Sequence, residues 1–133
     1  DNIGVVIGYD ENLSHLMQGG SDAILVPSRF EPCGLTQLYG LRYGTVPVVA
    51  RTGGLADTVV DADPASIKSR RATGVQFEPI TKDTLSAAIS RCFELYDEPT
   101  VWRSIVLNAM RYPVGWDQSA PAYLDLYESL TVQ

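Results

Sequence analysis

The chain has 133 residues, a formal net charge of −6, 45% hydrophobic residues and 20% charged ones. That is room for one domain with one core and not for two. An acidic balance argues against non-specific binding to nucleic acid or to an anionic membrane, and no run of about 18 apolar residues predicts a membrane span.

The opening DNIGVVIGYDEN has no basic leader layout and reads as a strand entered in mid-protein. Residues 3–7 form a short, β-branched, apolar run, so a buried strand is expected there. A short helix follows over 11–18, ended near Gly19 and Gly20. Residues 22–26 read as a second strand, stopped by Pro27. Helix formers fill 35–43 and end at Gly44, a good cap residue. A third strand is expected over 46–49 and a short helix over 55–60, entered through Gly53 and Gly54. The polar stretch 61–73, with Lys68, Arg70 and Arg71, reads as a partly helical, solvated surface loop. Residues 74–77 make a fourth strand. Leu85, Ala88, Ile89, Cys92, Phe93 and Tyr96 then recur at helical spacing as a core face, with Thr81 as the cap. Pro99 starts a helix to about Met110, and a last one begins near Asp117 with Tyr123, Leu126, Tyr127 and Leu130 on its apolar face.

Strands apolar on both faces and alternating with helices predict an α/β fold with a parallel sheet. Ligands in such folds bind beyond the carboxyl ends of the strands, which singles out the loops 8–11, 27–34 and 50–55. In the second, Gly34 permits close backbone approach, and the helix after it offers free N–H groups and a positive dipole end. Glu31-Pro32-Cys33-Gly34-Leu35-Thr36 therefore suits a pyrophosphate, or is an ordinary strand-to-helix turn. In the third, Thr52-Gly53-Gly54 allows a tight turn with outward amides, or a plain turn. Tyr9, at a strand's carboxyl end, can stack on a nucleobase or simply pack. Cys33 and Cys92 fit no metal spacing, and the single histidine, His15, reads as a structural helix residue, so no metal site is expected. Reduced thiols fit a cytoplasmic protein. Cys33, at a helix start, is either a reactive thiol or a small packing residue.

Taken whole, SRFEPCGLTQLYGLRYG followed by PVVARTGGLADTV resembles bacterial glycogen synthases almost residue for residue. IGYDENLSHLMQGGSDAILVPSRF upstream and GVQFEPITKDTLSAAI downstream are similar to the same family, and plant starch synthases share much of the pattern. The resemblance implies part of the Rossmann-like C-terminal domain of a GT-B glycosyltransferase. It implies transfer of glucose from ADP-glucose to the nonreducing end of an α-1,4-glucan such as glycogen, with retention and no cofactor. On matching positions, Glu31 is the carboxylate beside the donor sugar, and backbone around Cys33 and Gly34 lies against the glucose. The amides of Leu35 and Thr36 bind the distal phosphate, Tyr9 stacks on adenine, and Thr52, Gly53 and Gly54 line the cleft. No covalent nucleophile is visible. The resemblance implies front-face displacement, in which stabilising the departing pyrophosphate is the protein's main task. Many related transferases hold the ribose with a glutamate eight positions after the first; here that position is Tyr39, and glycogen synthases commonly lack that glutamate.

The N-terminal domain that such an enzyme needs as partner, with its lysine loop, is not in this sequence, and neither is the first part of the C-terminal domain. The chain alone is therefore expected to be inactive, either to pair the strands at 3–7 and 22–26 non-natively or to leave open strand edges, and to expose the apolar face of its last helix. A nucleotide- or glucan-binding module without catalysis is the alternative.

Overall fold

The computed structural model describes residues 3–131. Asp10 caps the first helix, α1 (Glu11–Gly20), by accepting a hydrogen bond from the Leu13 N–H at 3.0 Å. Strand β1 (Ala23–Val26) leads through a long loop into α2 (Thr36–Tyr43). Gly44 ends α2 in the left-handed conformation, φ 83°, its N–H bonded back to the carbonyls of Gly40 and Leu41. Strand β2 (Val46–Ala50), helices α3 (Gly53–Thr58) and α4 (Pro64–Lys68) and strand β3 (Val75–Phe77) follow. The chain closes with α5 (Lys82–Tyr96), α6 (Pro99–Arg111) and α7 (Trp116–Thr131). Thr81 caps α5 in a reciprocal capping box with Thr84.

The three strands form one parallel sheet in the order β1-β2-β3, with Ala23 opposite Val46 and Val48 opposite Val75. Every residue of β2 is buried, as a central parallel strand requires. Its alternation divides the core. Val46, Val48 and Ala50 face Ala88 and Cys92 of α5 and Ile105 of α6. Val49 turns the other way, toward Val26, Leu55 and Val59, on the side where Ile24 meets Gly40 of α2. Full burial of each valine contributes about 1.5–2 kcal/mol.

Two expectations need correction. Residues 3–7 form no strand: they run as exposed coil, with Ile7 96% in solvent. A strand needs a partner for its backbone groups, and among the described residues none lies alongside. The face of α5 is only half a core, because Ala88 and Cys92 are buried while Phe93 and Tyr96 are exposed. The stretch 61–73 is partly helical, as expected: its helix is α4, capped by Asp63, which accepts from the Ser66 N–H at 2.8 Å. That hydrogen bond, ahead of the smaller opposing effect of desolvation, holds the Asp63 carboxyl below its usual range. Lys68, Arg70 and Arg71 are exposed, as expected. So are Tyr123, Leu126, Tyr127 and Leu130 of α7. No helix among the described residues is long and apolar enough to cross a membrane.

Candidate functional site

Two of the three loops at the carboxyl end of the sheet are joined backbone to backbone. The loop after β1 carries Glu31, Pro32 and Cys33; the turn after β2 carries Thr52, Gly53 and Gly54. The Gly54 N–H donates to the carbonyls of Glu31, at 3.1 Å, and Pro32, at 3.2 Å. A Cβ on Gly53 would stand 2.1 Å from the Glu31 carbonyl oxygen, and one on Gly54 would stand 2.1 Å from that of Cys33. Gly53 also has φ 44°. The pair is glycine because two backbones touch there. This corrects the expectation of outward amides, since the Gly54 N–H points inward.

Gln37, which the sequence reading passed over, holds the same loop from below. It is fully buried, and its Nε2 donates to the carbonyls of Cys33 (3.0 Å) and Gly34 (2.9 Å) and to Thr58 Oγ1 (3.2 Å). Thr58 Oγ1 in turn donates to the Gly54 carbonyl. One amide therefore ties α2, α3 and both loops together. The available signal was a glutamine in the first turn of a helix behind a glycine, a position usually given to solvent.

Above this clamp the side chains are free to meet a ligand. Glu31 is partly exposed, and its Oε2 accepts from Ser28 Oγ at 3.3 Å. Cys33, Leu35 and Thr36 are exposed, and α2 has no side-chain cap at its N-terminus. The first amides of that helix thus face outward with its positive dipole end. Tyr9, 91% exposed, lines a hollow of about 350 Å3 with Val6, Leu13, Ile24 and Thr36. The structure therefore brings Tyr9 to the start of α2, and Glu31 and Cys33 to Gly53 and Gly54. His15 lies to one side, its Nδ1 3.0 Å from Tyr43 Oη and its ring 5.0 Å from that of Tyr39.

Another hollow, of about 620 Å3, lies elsewhere, between β3, α4 and α5. Its charges are satisfied internally. Arg91 donates to both oxygens of Asp61, at 2.6 and 3.1 Å, and to the Gln76 carbonyl at 2.9 Å. These contacts brace the sheet edge and leave little for a ligand. Among the described residues, no three of His, Cys, Asp and Glu cluster as metal ligands.

The two thiols differ in access. Cys92 is buried, and desolvation raises its pKa above the ordinary thiol value, outweighing the opposing pull of Arg91. Cys33 is exposed. Iodoacetamide at neutral pH is expected to label Cys33 at least about tenfold faster than Cys92. Peptide mapping checks this, and equal rates would contradict it.

Residues 2–105 match the family described as glycosyl transferases group 1. The chain belongs to that family. It is 66% identical over 128 residues to the glycogen synthase of Roseobacter denitrificans, covering 96% of this chain and 27% of that protein. The glycogen synthase of Jannaschia sp. is 62% identical over the same coverage. The catalytic domain of starch synthase IV from Arabidopsis thaliana, bound to ADP and acarbose, superposes with a TM-score of 0.83 at 37% identity, over 93% of this chain and 25% of that one. A sucrose-phosphate synthase from Thermosynechococcus elongatus shares the fold at TM-score 0.68 and 24% identity, over 94% of this chain and 29% of that one. The group 1 chain described here thus spans about a quarter of the length of such relatives.

Proposed function

We propose that this chain is the donor-binding part of a glucosyltransferase that moves glucose from ADP-glucose to the nonreducing end of an α-1,4-glucan, with retention, in glycogen synthesis. The observation that carries the reading is the interlocked pair of loops, Glu31–Cys33 against Gly53-Gly54, beside an uncapped helix start that shares a hollow with Tyr9. Similarity to glycogen synthases over nearly the whole chain supports it.

In this reading adenine stacks on Tyr9, and the distal phosphate sits at the Leu35 and Thr36 amides. The glucose lies against backbone of Cys33 and Gly34, with Thr52, Gly53 and Gly54 lining the cleft. The C1–O bond to phosphate breaks as a bond forms from C1 to the glucan 4-oxygen, and the hydroxyl proton leaves with the phosphate. Amides at a helix start hold the negative charge that grows on the leaving group. Glu31 favours the positive charge that grows on the sugar ring and accepts hydrogen bonds from its hydroxyls. The remaining partners are the glucan acceptor and the N-terminal domain of a full-length protein, so the isolated chain transfers no glucose at a measurable rate. That domain's charges are missing, and even one oxyanion donor is worth roughly 3 kcal/mol.

Calorimetric titration with ADP, and with UDP as control, tests this. Saturable ADP binding, weaker for UDP and reduced at least about tenfold by Tyr9→Ala, is expected. Equal binding of both nucleotides, or indifference to Tyr9→Ala, would overturn the assignment of the base site.

A further inference from the structure

The glycine turn of the site opens a very short helix: α3 has six residues. A helix of that length has almost no stability of its own, and the carbonyls of its last turn have no partner inside it. Whatever holds its far end therefore also fixes where Gly53 and Gly54 stand. Leu55 and Val59 are buried and set the depth of α3 against the sheet, but apolar contact has no direction. Rotation about the helix axis is fixed by hydrogen bonds, which do.

Among the described residues, two side chains from outside α3 donate to its far end. Gln76 of β3 directs both hydrogens of its amide there: Nε2 donates to the Ala56 carbonyl at 3.2 Å and to the Val59 carbonyl at 2.6 Å, in a partly buried place. Tyr112 Oη donates to the Asp57 carbonyl at 3.3 Å, but in solvent, where water can replace it.

Gln76 can serve as an anchor because its own backbone is pinned. The Phe77 carbonyl accepts the Arg51 N–H, so alternation turns the N–H and C=O of Gln76 away from β2, to the outer edge of the sheet. Neighbouring backbone covers that edge only as far as Gly74, which pairs with Val60 and Ala62. Continuing this pairing to Gln76 would need an N–H from residue 64, which is a proline, and the chain turns there into α4. Side chains complete the edge instead. The Gln76 N–H donates to Asp61 Oδ1 at 2.7 Å. Arg91, bonded to both oxygens of the same carboxylate, donates to the Gln76 carbonyl at 2.9 Å. With both backbone groups held, the side chain works from a fixed base.

We propose that Gln76 is a remote positioning residue for the site: from β3 it caps the far end of α3 and thereby holds the Gly53-Gly54 turn against the Glu31 loop. Without its amide the Ala56 and Val59 carbonyls lose their partners, and a partly buried acceptor left unpaired is costly. The last turn of α3 then opens, and the Gly54 N–H loses its alignment with the carbonyls of Glu31 and Pro32. The Asp61–Arg91 pair serves the site at one further remove, by holding Gln76. The consequence for ADP rests on the proposed donor site; the hold on the turn does not.

Hydrogen exchange at the Gly54 amide tests it, with Val48 of the central strand as the reference for global opening. Gln76→Met keeps the length of the side chain and removes the donor. It is expected to raise the Gly54 rate about tenfold relative to Val48 and to weaken ADP binding about fivefold. Gln76→Glu turns a carboxylate toward two carbonyls at the negative end of the helix dipole and should do more. Tyr112→Phe should change neither quantity. An unchanged ratio of Gly54 to Val48 exchange in both Gln76 variants would overturn this role, as would an equal rise in Tyr112→Phe. Faster Gly54 exchange with unaltered ADP affinity would also overturn it, because Gln76 would then steady the helix without serving the site. If the wild-type chain binds no ADP, the donor-site reading fails, and the exchange ratio alone decides whether Gln76 holds the turn.

Discussion

Gly53→Ala is expected to destabilise the chain by about 2–5 kcal/mol and to abolish ADP binding. The first contribution is conformational: φ is 44° at this residue, and left-handed backbone costs a side-chain-bearing residue roughly 1–2 kcal/mol. The second is steric. The new methyl would stand 2.1 Å from the Glu31 carbonyl oxygen and 3.0 Å from its carbon, both backbone atoms that no rotamer change can move aside. Overpacking of this kind typically costs about 1–3 kcal/mol. Relief comes only by separating the loops, which moves Glu31 away from Gly54 and breaks the site. Gly20→Ala is the control, because a Cβ there meets nothing within 4 Å. Urea melts of both variants decide the matter; if Gly53→Ala and Gly20→Ala melt alike, the backbone contact between the loops is not what the glycine serves.

The second large effect concerns Gln37. Gln37→Leu keeps the volume but removes the donor from the Cys33 and Gly34 carbonyls and from Thr58 Oγ1, at a cost of about 1–3 kcal/mol. Gln37→Glu should be worse at neutral pH. It places a carboxylate among carbonyl oxygens in a site with no exposure, and an uncompensated buried charge costs about 3–5 kcal/mol. Desolvation and those oxygens push the new carboxyl's pKa up in the folded state. The folded state then binds the proton more tightly than the unfolded one, so the loss should shrink as pH falls toward 5. A Gln37→Glu variant whose stability relative to wild type ignores pH between 5 and 8 would contradict this account.

These residues also mark how far the sequence can be read. Gly44 as the end of α2, Thr81 as the cap of α5 and the apolar runs of β1 and β2 are local signals, and the structure carries them out as expected. Residues 3–7 fail for a different reason. A β-branched run encodes suitability for a sheet but not the neighbour, and strand formation depends on the neighbour. Phe93 and Tyr96 fail in the same way: helical spacing shows which face is apolar, not whether anything covers it. At the site, the glycines are visible as glycines, but their reason is a contact between loops some twenty positions apart. Gln37 has only a faint local mark, a glutamine at a helix start behind a glycine, because the partner that ties it to α3, Thr58, lies 21 positions away.

Pro47 has a consequence for how the chain reaches this arrangement. Arg51 donates its N–H to the Phe77 carbonyl, so alternation makes Val49, and then residue 47, the earlier donors of β2 toward β3. Proline has no N–H, and the β2–β3 register accordingly begins one residue later, at Val48 opposite Val75. Directly before it, Gly74 lies so close to the Pro47 carbonyl that a Cβ would stand 2.5 Å away. A chain searching for its pairing thus meets a fixed stop at one end of the ladder. Sliding β3 two residues toward the start of β2 would demand a donor that does not exist. Parallel pairing between distant segments is intrinsically slow and open to kinetic traps. In this chain a single imino acid removes one of the two face-preserving slips nearest to the native alignment.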